Sequence, residues 1–468
     1  MALTNGRRSV KLGLISGQER YRQDMAGKDV KTVMRLDTRR VLPLFLLIFV
    51  DVLGLTVILP LLHLYAAAYG ASPLQIGVTL AAFPLAQLVG VPVMGALSDR
   101  YGRKPLLLIS QASTCLSFVM LGLATSLEMV ILSRLIDGVF GANLATAQAA
   151  LSDITDESSR TRGLGVIGAA FGLGFIFGPV ISLLALELSN SLAVPAFTAA
   201  IYSFASILVT ARLFQETHPP ARRGRGRHNS GLALRYLLRP GLGLPLLLMF
   251  AQQLIFFGYE SLLGLFTLTR LGFLGRGNAA LFIVIGLILV LVQLRFIGRW
   301  SARLGDGGLV KLALALLALG LLLTGLTPAA PHPFYVRELV QRDLLAAAPS
   351  QAEAIMGELG VALPPNGKNS MTGVVWLTLA LIPVAVGAGL IRPALNSLLT
   401  QRVGPADYGG ILGLSAAAVS AANAAAPLIA AQIFQAQGAS APFLLGGCLM
   451  GGLWALNVWA WRGRRREW

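Results

Sequence analysis

Five ionisable residues stand inside long apolar stretches of the chain, away from the ends of those stretches: Asp51, Arg134, Asp137, Glu260 and Arg392. A charged side chain at the centre of a membrane helix costs about 2.5–3.5 kcal/mol on insertion scales, so such a residue usually has a function. A carboxylate in apolar surroundings can take up and release a proton near neutral pH. These residue types therefore predict the handling of protons or ions rather than covalent catalysis.

Asp51 lies about halfway along its apolar stretch. We predict a proton or cation site there, and the alternative is a carboxylate permanently paired with an arginine. Arg134 and Asp137 are three residues apart, so they share one face of a helix. They either neutralise each other, or Asp137 forms a second proton site or contacts a cationic substrate.

Glu260 follows a group of aromatic residues in the sequence FFGYES. Aromatic rings beside a carboxylate suit a lipophilic cation, and they suit an anchor at the membrane interface as well. Arg392 lies in the last third of its stretch. The open alternatives are that it contacts substrate, closes a gate or extends to the membrane surface. Further polar contacts to a substrate cavity are predicted from Asn143, Gln252 and Gln253.

The elements that hold these charges are strongly apolar. Of 468 residues, 55% are hydrophobic and 13% are charged, against about 25% charged in a soluble domain. Mean hydropathy is +0.71. The composition predicts an integral membrane protein in the lipid bilayer. Cys115 and Cys448 both lie in apolar runs, so we expect neither a disulfide nor a metal site.

A membrane span needs about 20 mostly apolar residues, and twelve segments meet this requirement, six on each side of a polar linker at 214–240. The predicted organisation is an N-terminal tail at 1–39, a bundle at 40–213, the linker, a second bundle at 241–462 and a basic tail at 463–468. The predicted spans are 40–62, 73–97, 105–125, 128–152, 161–185, 193–213, 243–268, 278–300, 308–328, 373–399, 408–434 and 441–462.

The net charge of +17 is distributed unevenly along this pattern. If the N-terminus is cytoplasmic, 31 of the 38 lysines and arginines fall on the cytoplasmic side and five on the other. Because cytoplasmic loops of membrane proteins are rich in basic residues, the sequence predicts that both termini are cytoplasmic. The same distribution explains the basic character without a nucleic acid partner.

The two halves of the chain resemble each other. GALSDRYG begins at Gly95 and GRWSARLG at Gly298, an offset of 203, whereas Gly178 aligns with Ala426 at an offset of 248. The polar stretch at 329–372 between the ninth and tenth predicted spans has the length that accounts for the difference. A duplicated six-helix unit with a cavity between the copies explains the pattern.

The charged segment after the second span carries the most specific motif. Its sequence resembles the pattern G-x-L-x-D-R-x-G-R-K of the major facilitator superfamily. Within that superfamily, the segments FVDVLGLTVILPLL and RLIDGVFGANLATAQAALSDITDESSRTRGLGVIGAAFGLGFIFGP are similar to the twelve-helix drug/proton antiporters such as the tetracycline exporters. The resemblance covers nearly all of 40–462. The matching motif residues are Gly95, Leu97, Asp99, Arg100, Gly102, Arg103 and Lys104.

The resemblance implies an all-α protein of twelve transmembrane helices in two pseudo-symmetric bundles. It implies that the charged motif is a cytoplasmic gate that latches the bundles in the outward-open state, with Asp153 and Arg162 as a pair beside it. Gly95 and Gly102 are expected to permit close approach and a tight turn. The resemblance also assigns proton coupling to Asp51 and Arg134, and a seal between the halves to Gly174, Gly178 and Pro179.

The polar stretch at 329–372 is long for this family. Val336, Leu339, Val340 and Leu344 recur at helical spacing, and a second short helix is predicted around 351–359. We predict an amphipathic cap at the outer membrane surface. The alternative is an insertion without a function.

The combined prediction is a monomeric secondary transporter in the plasma membrane, and the antiporter likeness indicates the inner membrane of a bacterium. It exports small amphipathic or drug-like molecules in exchange for protons. It uses the proton gradient as its energy source and no cofactor. Uptake of a metabolite by symport or facilitated diffusion is the alternative, and a receptor or lipid scramblase on the same scaffold is less favoured. We predict no enzyme, because zinc signatures, nucleophile elbows and phosphate loops are absent from the sequence.

Overall fold

The computed structural model describes residues 38–154, 157–189, 191–217, 241–346, 360–403 and 408–464. Within these ranges every regular element is helical, as predicted. The predicted tails and linker, and the second short helix at 351–359, lie wholly or mostly outside them. The α-helices are α1 Thr38–Ile58, α2 Leu62–Ala68, α3 Pro73–Tyr101, α4 Arg103–Gly122, α5 Leu127–Phe140, α6 Asn143–Ile154, α7 Glu157–Leu188, α8 Ala193–Leu213, α9 Gly243–Leu271, α10 Gly275–Leu291, α11 Ile297–Gly325, α12 Arg337–Ala346, α13 Met371–Thr400, α14 Tyr408–Gln437 and α15 Ala441–Arg464.

Ten helical segments among the described residues are long and apolar enough to cross a membrane. One of them runs from Gly275 to Gly325, includes a π-helical turn at Val292–Phe296, and is interrupted at Gly305, so it corresponds to two of the predicted spans. The described apolar part of α7, Gly172–Leu188, is shorter. This arrangement is consistent with the predicted twelve spans.

The internal repeat is visible in the backbone. Gly102 adopts φ 105° and ψ 163°, and Gly305, which is 203 positions later, adopts φ 65° and ψ 169°. Both values are rarely adopted by residues with a side chain. The chain therefore reverses direction at the same place in both copies of the motif, as the sequence offset predicts.

Each half packs mainly on itself. In the N-terminal half α1 packs on α7, and α4 packs on α5 and α8; in the C-terminal half α11 packs on α13 and α15. The two most extensive contacts between the halves are those of α3 with α14 and of α7 with α10. We call the membrane side with the turns at Gly102 and Gly305 the motif side, and the opposite side the far side.

The far side is closed. Gln435 of α14 accepts a hydrogen bond from the Leu74 backbone of α3 at 3.0 Å. Arg276 of α10 pairs with Glu187 of α7 at 3.3 Å and donates to the Leu186 carbonyl at 3.0 Å. These contacts join the two halves at the ends of the helices, so the structure represents a state in which this side is shut.

The segment after α11 lies on the far side, and α12 packs against α2. Val340 and Leu344 are buried, whereas Val336 and Leu339 are exposed. The helix begins at Arg337, so Val336 precedes it and the predicted helical face is wrong for this residue. The cap at the outer membrane surface stays a prediction. Tyr335 anchors the segment, since its hydroxyl donates to the Pro364 carbonyl at 2.7 Å.

Glycines set the distance between α1 and α7. The Thr56 hydroxyl of α1 lies 2.9 Å from the Gly174 carbonyl, and a Cβ on Gly174 would lie 2.5 Å from Val52 Cγ1. A methyl group on Gly178 would overlap the Thr56 hydroxyl. Only residues without a side chain let backbones approach this far. This contact lies within the N-terminal half, so the seal between the halves that the resemblance assigns to Gly174, Gly178 and Pro179 stays a prediction.

Gly178→Ala should therefore lower the stability of the protein by about 1–3 kcal/mol through overpacking, whereas Gly172→Ala should leave it unchanged. An added Cβ on Gly172 has its nearest neighbour, Val290 Cγ2, at an ordinary 3.7 Å. Thermal unfolding of the purified variants in detergent measures the difference. Equal midpoints for the two variants would show that the α1–α7 contact is looser than described.

Candidate functional site: the charged motif and the intramembrane polar network

The charged motif is organised around Arg103, the first residue of α4. Its buried guanidinium lies 2.6 Å from Asp99 and 3.1 Å from Asp153. It also donates to the Ser98 hydroxyl at 3.0 Å. Three helices of the N-terminal half, α3, α4 and α6, are thus tied together by one side chain, because a planar guanidinium can donate in several directions at once.

The first turn of α4 is capped by a residue from the end of the N-terminal half. Glu216 accepts hydrogen bonds from the backbone amides of Arg103 at 2.9 Å and Lys104 at 3.1 Å. A carboxylate at this position satisfies free amides and opposes the positive end of the helix dipole. Lys104 in turn donates to the Ala211 carbonyl at 2.7 Å. The motif therefore holds the segment after α8 as well.

Other predicted motif residues have different roles. Arg100 is exposed and stacks on Tyr101, with 5.3 Å from its Cζ to the ring centre. A Cβ on Gly95 would have no neighbour within 4 Å, so the predicted close approach there is wrong. Asp153 pairs with Arg103, and the side chain of Arg162 lies outside the described residues. The bonds described here lie within the N-terminal half, so the latch between halves stays a prediction.

The second copy of the motif has reversed polarity. Asp306 is 203 positions after Arg103 and accepts hydrogen bonds from Ser397 at 2.5 Å and Gln401 at 2.7 Å. Gln401 is in turn 248 positions after Asp153. The equivalent contact is thus made in both halves. In the first half the Arg103 cation meets the Asp153 carboxylate, and in the second the Asp306 carboxylate meets the Gln401 amide. Ala302 stands where the first copy has Asp99, and the acid of the second copy sits four residues later.

Arg103→Lys should reduce stability by about 1–2 kcal/mol and lower transport. The guanidinium reaches Asp153 through Nε and both Asp99 and Ser98 through Nη1, and the single nitrogen of lysine cannot occupy both positions. Arg342→Lys, on the exposed surface of α12 and outside the motif, is the matched control and should behave as the wild type. Thermal unfolding and transport at equal expression measure both effects. Similar losses in the two variants would contradict the central role of Arg103.

Asp51 has a neutral partner. Its Oδ1 atom accepts a hydrogen bond from Asn143 Nδ2 at 2.7 Å. Asn143 begins α6 after the fourth span breaks at Gly141, and the Ser110 hydroxyl accepts from the Ala142 amide at 3.1 Å at this break. The interruption of the helix therefore places the amide of Asn143 against α1.

The arginine of the same half is engaged elsewhere. Arg134 lies 3.6 Å from Asp137, donates to the Ser117 hydroxyl and stacks over Phe118. Asp137 also accepts from the Thr114 hydroxyl at 2.8 Å. Both charged side chains are buried within the N-terminal half. Of the two alternatives left open by the sequence, mutual neutralisation is the one this geometry favours.

The intramembrane charges of the C-terminal half are arranged differently. Glu260 is half-buried and Arg392 is exposed, and neither forms a hydrogen bond or ion pair within the described ranges. Gln253 donates to Asn423 of α14 at 2.8 Å, and the buried Gln252 donates to the Met249 carbonyl at 3.3 Å.

The aromatic residues before Glu260 do not all surround it. Tyr259 is buried and packs edge-on against Phe443 of α15, with 5.6 Å between ring centres. Phe256 stacks on Tyr259 at 6.0 Å. Tyr259 therefore belongs to the interior of its bundle, and the sequence pattern could not separate it from a ligand-facing ring.

Several functional contacts were not predicted from the sequence. Glu216 and Asn423 are far from their partners in the chain, and Thr114 and Ser117 look like ordinary small residues of a membrane helix. One sequence pattern could have indicated the hydroxyl partners of Arg134 and Asp137. Ser110, Thr114 and Ser117 follow each other on α4 at intervals of four and three, which places them on one face of the helix.

Two helical bundles that enclose charged side chains within the membrane are the design of a transporter rather than an enzyme. The comparison with known families gives the particular class. The sequence profile of the Major Facilitator Superfamily matches residues 44–340. The chain belongs to this family of membrane transporters for small molecules.

The chain is similar to several tetracycline resistance proteins. It is 29% identical to the class E protein of Escherichia coli over 80% of this chain and 83% of the relative. It is 37% identical to the class B protein of Escherichia coli, over 36% of this chain and 42% of the relative. The crystal structure of the human organic anion transporter MFSD10 (TETRAN) matches with a TM-score of 0.62, 23% identity and coverage of 91% and 100%. At this identity, the similarity to the MFSD10 structure shows a shared fold and nothing about the substrate.

Proposed function

We propose that this protein is a proton-coupled antiporter that exports small amphipathic or drug-like molecules, including tetracycline-like compounds. The observation that carries the proposal is the contact of Asp51 with the neutral amide of Asn143. Arg134 is already occupied by Asp137. Asp51 can therefore gain or lose a proton without breaking an ion pair, which is the property that a coupling carboxylate needs.

The similarity to tetracycline resistance proteins, and to multidrug resistance protein 2 of Bacillus subtilis at 26% identity, supports export. The distribution of basic residues supports a cytoplasmic motif side and cytoplasmic termini. In this orientation the closed far side faces outwards. Glu260 and Arg392, which have no partner in the described ranges, are the candidate substrate contacts. The proton gradient supplies the energy, without a cofactor, and we propose a monomer as the working unit.

Asp51→Asn should abolish proton-driven export, because the amide cannot take up a proton. The test uses a bacterium without its own efflux pumps, a panel of tetracycline and lipophilic cationic dyes, and equal expression of the variants. Asp343→Asn, on the exposed helix α12, is the matched control and should export as the wild type does.

Three outcomes are informative. Wild-type export that is lost in Asp51→Asn and kept in Asp343→Asn supports the proposal. Unchanged export in Asp51→Asn contradicts the role of Asp51. If the wild type raises accumulation instead of lowering it, the direction is uptake and the symporter alternative is favoured.

A further inference from the structure

His63 lies on the far side between the two halves and was not assigned any role above. It belongs to α2, whose seven residues are all buried, and its own side chain is 2% exposed. The imidazole rests on the backbone of Gly264 in α9, so closely that a Cβ there would lie 2.5 Å from Nδ1. A titratable ring thus fills the interface between the bundles where that interface is shut.

The ring has one hydrogen-bond partner within the described residues. Its Nε2 atom lies 3.2 Å from Asn278 Nδ2 of α10, and Asn278 Oδ1 lies 2.5 Å from the Thr267 hydroxyl of α9. All three side chains are buried. A neutral imidazole fits this site, whereas an imidazolium would need an acceptor for each of its two N–H groups and would be buried without a counter-charge.

Within the described residues, the helices around α2 provide no counter-charge for a protonated His63. None of their charged residues forms an ion pair or hydrogen bond with His63 in the described ranges, and Tyr65 of the same helix donates its hydroxyl to the Leu192 carbonyl. Glu260 lies one turn before Gly264 on the same helix. The charged residues on the elements around α2 are Asp99 and Arg100 of α3, Glu128, Arg134 and Asp137 of α5, Glu260 and Arg270 of α9, Arg276 of α10, and Arg337, Glu338, Arg342 and Asp343 of α12.

A small cavity of about 130 Å³ lies beside this site. Its lining includes Leu64, the neighbour of His63, together with Leu186 of α7 and Arg276 and Asp343 towards the surface. The polar groups of this lining, Arg276 and Asp343, lie at its outer end, and leucines separate them from the ring.

We propose that His63 is a second proton-binding site, loaded from the outer medium, whose protonation opens the outer side of the transporter. The inference rests on the proposed orientation, in which the far side faces outwards. The closed interface accepts only the neutral ring, and separation of the bundles exposes the ring to water, where its pKa is about 6.5. Acid therefore favours the outward-open state. The proton gradient then acts on the outer gate itself, in addition to the coupling carboxylate Asp51.

The test measures opening by cysteine accessibility in the full protein in lipid nanodiscs. Leu186→Cys, at 4% exposed, reports on the outer interface in a background with Cys115→Ser and Cys448→Ser. Phe334→Cys, at 89% exposed, is the reference that corrects for the pH dependence of the thiol reagent. If protonation occurs only in the open state, the relative labelling rate of Leu186→Cys should rise about tenfold between about pH 7.5 and pH 5.5.

His63→Gln should make the relative labelling rate independent of pH, because glutamine has no proton to gain in this range. Asn278→Asp is the second variant: a carboxylate beside the ring would stabilise the imidazolium in the closed state, so acid should no longer open the outer side. In Asp51→Asn the tenfold rise should persist.

A rise that persists in His63→Gln, or labelling of the wild type that does not vary with pH, overturns the inference. A rise that disappears in Asp51→Asn and persists in His63→Gln assigns the effect to Asp51 and overturns it as well. The labelling needs no transported substrate. Failure of the proposed export function is therefore seen separately, in the efflux assay.

Discussion

The absence of water from the core of the bilayer is the constraint on which this structure depends. Backbone amides and carbonyls must find partners within their own helix, which is why the regular elements of the described chain are helices. The same constraint acts on side chains. Arg134 and Asp137 are buried beside each other with hydroxyl partners from α4, and Asp51 meets an amide. Each intramembrane charge of the N-terminal half thus has a polar neighbour supplied by another part of the fold.

Close helix packing makes that supply of partners possible. Thr56, one turn and one residue after Asp51 on α1, lies within hydrogen-bonding distance of the Gly174 carbonyl on α7. Glycines at 174 and 178 leave room for this approach. Because lipid gives apolar side chains no reason to prefer each other, such contacts hold a membrane bundle together through shape and hydrogen bonds. The position of Asp51 therefore depends on residues more than a hundred positions away.

The two halves share a backbone plan and differ in chemistry. Gly102 and Gly305 make equivalent turns, and the contact of Arg103 with Asp153 is matched by that of Asp306 with Gln401. Only the first of these contacts is an ion pair. Intramembrane charges follow the same division: they have partners in the N-terminal half, and Glu260 and Arg392 have none in the described ranges.

The sequence by itself determined the class of structure. Hydropathy, the sided distribution of charge and the motif at Gly95–Lys104 predict the membrane helices, the repeat and the family, because these properties depend on local composition and spacing. Tertiary structure decided which charges are paired. The deciding contacts join residues that are distant in the chain. Glu216 caps the start of α4, Asn143 donates to Asp51, and Asn278 lies beside His63. Helices follow from local composition and spacing, which a single sequence shows directly. Hydrogen-bond partners on different helices depend on how those helices are placed in three dimensions, which a single sequence does not show.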